Sequence, residues 1–290
     1  MTEWSVPESN SLASRVLRYP ATHLAIAILW IGAWLFGLFA LRIKPPILAE
    51  VIGALVIAAA YIVYVRVVER RSVSELALGP APAELGIGFL IGAALFTATI
   101  GIIWVLGDYA VIAVNHWTAI LAPLVLGLAA GLLEEIVFRG VLFRITEEWI
   151  GSWGALAVSS FLFGAAHLAN PHATLTSALA IALEAGVVLG AVFMIKRRLW
   201  LPIGLHAAWN FTQAGIFGAA VSGTTQGGLL VSRITGPAWA TGGSFGPEAS
   251  LPAVIVSLSG VVLLVYIVRS GGIVRPIWLR SSPDSHGPSL

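Results

Sequence analysis

Cysteine is absent from this 290-residue chain. No disulfide framework, thiolate metal site or cysteine nucleophile is therefore open to it. Charge is scarce as well: Asp, Glu, Lys and Arg make up 10% of the residues, where a soluble domain carries about 25%. These shortages argue against a soluble enzyme, a disordered chain and a nucleic-acid binder. The formal net charge of +2 matters only through where the basic residues sit.

What fills the chain is apolar. Hydrophobic residues make up 58% of it, the mean hydropathy is +0.92, and this suffices for about eight spans of roughly 20 residues. Apolar runs fall near 21–41, 47–68, 84–106, 111–137, 154–169, 173–195, 201–220 and 251–268. The expected fold class is all-α: a polytopic protein of the cell membrane, with about eight transmembrane helices and the lipid bilayer as its solvent. The first twenty residues are polar and lack the short apolar core and cleavage site of a signal peptide, so the first run reads as an uncleaved anchor. The organisation expected is a cytoplasmic segment at 1–20, N-terminal transmembrane helices at 21–106, a functional core at 107–270 and a tail at 271–290.

Basic residues set the orientation. Arg15 and Arg18, then Arg66, Arg70 and Arg71, then Lys196 to Arg198, then Arg269, Arg275 and Arg280 share one face if both termini are cytoplasmic; Arg42 and Lys44 oppose this and are outnumbered. Trp149, Trp153 and Trp200 fall near predicted span ends, as interfacial anchors do.

Three polar groups interrupt this apolar background, and a charge within a span is costly and usually functional. Glu134-Glu135-Ile136-Val137-Phe138-Arg139-Gly140 places Glu135 and Arg139 one helical turn apart, able to pair. Glu134 points about 100° away from Glu135 and has no partner at that spacing, which suits a carboxylate to exchange protons. The second group is His167, at the end of Phe163-Gly164-Ala165-Ala166-His167. The third is His206-Ala207-Ala208-Trp209-Asn210, whose spacing puts His206 and Asn210 on one helix face. Each has a plain structural reading too: a buried ion pair, a satisfied core histidine, a tie between neighbouring helices.

Geometry joins them. Gly151-Ser152-Trp153-Gly154 reads as a turn between antiparallel helices. Glu134 lies about 18 residues before it and His167 about 15 after, so at ~1.5 Å per residue their heights differ by only about 4–5 Å. His206 enters early in a helix that follows Lys196–Arg198, which places the site in the cytoplasmic half of the membrane. The Gly- and Thr-rich stretch 222–250 reads as an extracytoplasmic loop, with Pro247 and Glu248 opening the last helix. Glu184 also sits in an apolar run, facing the cavity near Arg139 or His172, with no partner fixed by spacing.

Glu134-Glu135…Arg139, Phe163…His167 and His206…Asn210, in that order, resemble the motifs of the CAAX-protease and bacteriocin-processing (Abi) family of intramembrane proteases. The resemblance covers roughly residues 120–270. It implies about eight helices around a membrane-embedded polar cavity, with Glu134 and His167 activating a water for attack on a peptide carbonyl. His206 and Asn210 are then oxyanion donors, and Glu135 and Arg139 brace the first helix. The implied substrate is a hydrophobic peptide or a lipidated protein; a CAAX carboxyl-terminal reaction is one case of this. On metal, two readings stand. Glu134, His167 and His206 make a zinc-like set with water in the open position; the other reading is a metal-independent glutamate protease, favoured because asparagine is a poor zinc ligand. A different class of function, a non-catalytic scaffold or immunity protein binding a peptide or lipid in the same cavity, predicts that conservative changes at Glu134 and His167 are tolerated.

Overall fold

The computed structural model describes residues 19–276. Most of the expected segments 1–20 and 271–290 thus lie outside the described residues. The described residues are mostly helical. Helix α1 spans Pro20–Leu41, α2 Pro46–Val67 and α3 Ala81–Val105. Each of these three has proline at its first or second position, where the missing N–H removes a donor the helix would leave unpaired anyway. Helix α4, Leu121–Glu135, continues through a π-helical segment, Ile136–Phe143, into α5, Arg144–Ala166. Helix α6, Leu175–Ile181, leads through a second π segment, Ala182–Gly186, to α7, Val187–Lys196. Helix α8, Trp200–Phe211, ends in a third, Thr212–Ile216; α9 is the short Ala238–Thr241, and α10, Leu251–Ser257, passes into α11, Ser259–Arg269.

Six stretches among the described residues are long and apolar enough to cross a membrane. Two of the eight expected spans differ in form. The stretch Trp117–Ala169 counts as one helix of 53 residues, yet Gly151 breaks it with φ 77 and ψ 172. That conformation favours glycine, and the chain reverses there as the Gly-rich turn predicts. The turn is tighter than expected, because Ser152 already begins the return limb. The other exception is α8, whose 12 residues and 5-residue π continuation fall short of a full span. It lies buried between α3 and α4 instead.

Small residues permit that burial. A Cβ on Gly88 or Gly92 of α3 would lie 2.2 Å from the carbonyl oxygen of Leu201 or Leu205, and one on Gly204 would lie 2.3 Å from that of Leu85. Gly127 and Gly131 of α4 meet Ala207 and Ile203 of α8 in the same way. Close backbone approach of this kind is how helices associate where lipid offers no hydrophobic drive. Apolar side chains such as Phe36 and Phe39 on α1 and Trp104 on α3 stay exposed, as a hydrocarbon surround allows.

The two ends of the bundle differ. At one, short loops carry paired charges: Arg71 holds Glu69 and Glu75, each at 2.7 Å, Arg144 reaches Glu69 at 2.5 Å, Arg197 pairs with Glu147, and Arg198 donates to Glu84 at 2.9 Å. Arg197 also donates to the Gly272 carbonyl at 3.2 Å. At the other end is a two-stranded antiparallel ribbon of β1, Tyr109–Val114, and β2, Leu230–Ile234. The expected span at 111–137 is corrected here. Its first residues are strand, because the run Tyr109 to Val114 is rich in β-branched and aromatic residues and finds a partner strand in the region read only as loop.

Candidate active site

Phe163 organises the site. Its ring lies edge-on to Phe138 with centroids 4.9 Å apart, and the guanidinium of Arg139 sits 4.6 Å above its centroid. Ser159 donates to the Phe138 carbonyl at 3.3 Å. The two limbs flanking Gly151 are therefore antiparallel, with 138 level with 163. One turn further from Gly151 on each limb come Glu134 and His167, which line one cavity of about 250 Å³. His206, Asn210, Glu184 and Glu248 line it too. All four residues expected to carry chemistry thus reach one chamber, and the height argument from the turn holds.

Beneath the cavity wall lies a fully buried ion pair. Arg139 donates to Glu135 Oε1 at 2.8 Å, and its other terminal nitrogen donates to the carbonyls of Ala185 at 3.2 Å and Gly186 at 3.1 Å. Burying two such charges costs several kcal/mol per ion, so the pair is tolerable only with these added hydrogen bonds. The carbonyls come from the π segment 182–186, where the i→i+4 ladder is broken. The same Glu135 Oε1 lies 2.9 Å from His206 Nδ1. A carboxylate engaged by arginine only accepts, so His206 Nδ1 carries a proton and donates it. Its Nε2 then faces Glu134 Oε2 across 3.9 Å, beyond hydrogen-bond length. Glu134 Oε2 is buried and has no hydrogen-bond partner among the described residues.

His167 is oriented differently. Its Nδ1 donates to the Phe163 carbonyl one turn back at 2.7 Å, which leaves Nε2 as an acceptor. Asn210 follows His206 by one turn, immediately before the third π segment.

Two cavity acids have surroundings that differ from the sequence reading. Glu248 does not open the last helix: Pro247–Ala249 is a separate turn, and Ser250 caps α10 by accepting from the Ala253 amide. The Glu248 carboxylate turns inward and accepts from the backbone and hydroxyl of Ser222, at 2.6 and 2.8 Å. Burial pushes its carboxyl above the usual range, and the Ser222 donors oppose this. The loop 222–250 is thus partly cavity wall. Glu184 is buried with Ser257 as its donor at 3.5 Å, not Arg139 or His172; His172 lies exposed in the loop after α5. A lone acid beside proline carries the signal of a helix start, and only the fold shows it doing something else.

For zinc, Glu134, His167 and His206 would have to converge. Among the described residues no three His, Asp or Glu side chains stand close enough to hold a metal ion. The donor set does not fit the zinc reading.

The exposed lining residues of the cavity are Glu50, Thr224 and Gln226, near the start of α2 and in the loop after α8. Tyr61, Ile136, Phe143 and Phe193 are fully buried in one apolar core. His206 does follow the basic loop closely.

Residues 115–212 match the family model described as Type II CAAX prenyl endopeptidase Rce1-like. Those residues include Glu134, Glu135, Arg139, His167, His206 and Asn210. No curated protein and no solved structure matches the chain.

Proposed function

We propose that this membrane protein with its Rce1-like domain is an intramembrane endopeptidase, cleaving a hydrophobic or lipidated peptide or protein by direct attack of water. Glu134 and His167 take the proton from the water: one has a buried carboxylate oxygen in the cavity and the other a free Nε2 acceptor. His206 and Asn210 stabilise the oxyanion that develops on the peptide carbonyl. For His206 to donate from Nε2 while Nδ1 donates to Glu135, it carries both protons, and the two flanking carboxylates balance that charge. Glu135 and Arg139 position His206 and do not touch substrate. With no cysteine and no serine in a nucleophile-elbow pattern, direct attack of water is favoured over an acyl-enzyme.

The observation that carries this reading is the division of labour between adjacent acids. Glu135 Oε1 takes hydrogen bonds from both Arg139 and His206, whereas Glu134, which lines the cavity, is engaged only by His206 Nε2 at 3.9 Å. Peptidomics of cells expressing wild-type or Glu134→Gln protein tests it. A peptide that accumulates uncut with the variant supports the hydrolase. Identical profiles for wild type and variant, both differing from cells lacking the protein, would assign a binding role to the cavity instead.

A further inference from the structure

We infer that Trp209 is a substrate-binding residue, whose indole N–H donates to a backbone carbonyl of the bound peptide beside the bond to be cut. Trp209 lines the cavity together with His206 and Asn210. It is only 7% exposed, and its Nε1 is buried with no hydrogen-bond partner among the described residues. An indole nitrogen can only donate, and a buried one usually finds an acceptor. Two other tryptophans show the usual outcome. Trp30 donates to the Ala60 carbonyl at 3.0 Å and Trp200 to the Ala77 carbonyl at 2.8 Å, although both are less buried. The donor that lacks an acceptor is the one on the chamber.

The packing of the ring explains why the protein does not supply that acceptor. Phe96 meets it edge-on with centroids 5.2 Å apart, and Ile100, Ile103 and Ala253 belong to the same apolar cluster. A buried polar group left unsatisfied calls for a reason, and here the reason is a ligand that brings a carbonyl. The place of Trp209 on α8 fits a peptide. At about 100° per residue, Trp209 lies roughly 60° to one side of His206 and Asn210 roughly 40° to the other. Three donors thus share one arc of the helix. His206 and Asn210 are the pair assigned to the oxyanion, so Trp209, on the far side of His206 from Asn210, serves a neighbouring carbonyl. The helix that carries them is held close on two sides: a Cβ on Gly92 would lie 3.1 Å from that of Ala208, and one on Gly127 2.8 Å from the Ala207 carbonyl oxygen. The donors are therefore fixed before a ligand arrives, which lowers the cost of binding it.

The word substrate rests on the hydrolase reading, but the binding of a peptide carbonyl does not, and the test separates them. Full-length protein in lipid nanodiscs is isotopically labelled at its tryptophan indoles, and the magnetic-resonance signal of residue 209 is identified by its loss in Trp209→Phe. The probe is a pool of acetylated, amidated decapeptides randomised over alanine, leucine, phenylalanine and serine. A downfield movement of the 209 indole proton on adding the pool, in wild type and Glu134→Gln alike, is the expected result. An unmoved signal would overturn the inference. Cleavage of the same pool is followed by mass spectrometry. A moved signal without cleavage by the wild type sinks only the hydrolase reading; cleavage with an unmoved signal sinks only the role of Trp209. For a peptide of the pool that is cut, replacing Trp209 by 3-benzothienylalanine keeps the shape of the ring and removes the N–H. A donor that binds substrate and transition state alike then predicts KM raised by about 2–10-fold with kcat unchanged. A wild-type KM for this isostere, with only the thermal stability of Trp209→Phe reduced, would make the tryptophan a packing residue and overturn the inference.

Discussion

Glu135 and His206 stand 71 positions apart in the chain, yet the carboxylate oxygen of one lies 2.9 Å from the ring nitrogen of the other. That oxygen is also the one that receives Arg139. One acid therefore anchors two helices and sets the orientation of an imidazole, while its neighbour Glu134 lines the cavity with only His206 Nε2, at 3.9 Å, beside its carboxylate. Adjacent residues of one type hold different tasks because one helical step turns them about 100° apart.

The two acids should respond differently to the same change. Glu134→Gln is expected to lower single-turnover cleavage by roughly 10²–10⁴-fold with the melting temperature in detergent unchanged. Glu135→Gln leaves the buried Arg139 uncompensated and should cost about 3–5 kcal/mol of stability along with activity. If Glu135→Gln proves stable and Glu134→Gln unfolds, the roles must be exchanged.

Arg139→Lys keeps the charge but loses the fork. A lysine amine is a compact point charge and lacks the planar geometry that serves Glu135, the Ala185 and Gly186 carbonyls and the Phe163 face together. A loss of about 1–3 kcal/mol is expected, read by thermal unfolding, with reduced turnover because Glu135 no longer holds His206. A lysine variant as stable and as active as wild type would show that charge alone suffices.

Packing far from the chemistry should matter at one glycine and not at another on the same helix. A Cβ on Gly92 would come within 2.2 Å of the Leu205 carbonyl oxygen, next to His206, whereas one on Gly101 meets nothing within 4 Å. Gly92→Ala should destabilise by about 1–3 kcal/mol and reduce cleavage by moving α8. Gly101→Ala should be neutral, or stabilising by up to about 1 kcal/mol. Equal behaviour of the two in unfolding and cleavage assays would refute the close contact of α3 and α8.

Strong chelators are expected to leave cleavage intact, since no three ligating side chains converge among the described residues. Loss of activity on chelation and its return with zinc would reinstate the metal reading.

Much of the site was readable from spacing. Glu134, His167, His206 and Asn210 stand out because charge and imidazole are costly in an apolar run, and Gly151 marks the turn that brings two of them level. The strand at 109–114 was not readable, because a short β-branched run beside a helix has the same hydropathy as the helix itself and is decided by its partner 230–234. Glu248 was misread for a related reason: proline followed by an acid is the usual opening of a helix, and its inward turn depends on Ser222, distant in sequence.

Sequence alone determined that this chain lives in a bilayer, which end of the bundle is basic, and which side chains are too polar to be there by accident, since each follows from local composition and helical period. Tertiary structure alone decided which acid receives Arg139 and His206 and which lines the cavity, and that α8 is buried between α3 and α4. Those outcomes depend on how helices cross and which small residues let them touch, and a one-dimensional period carries no information about either.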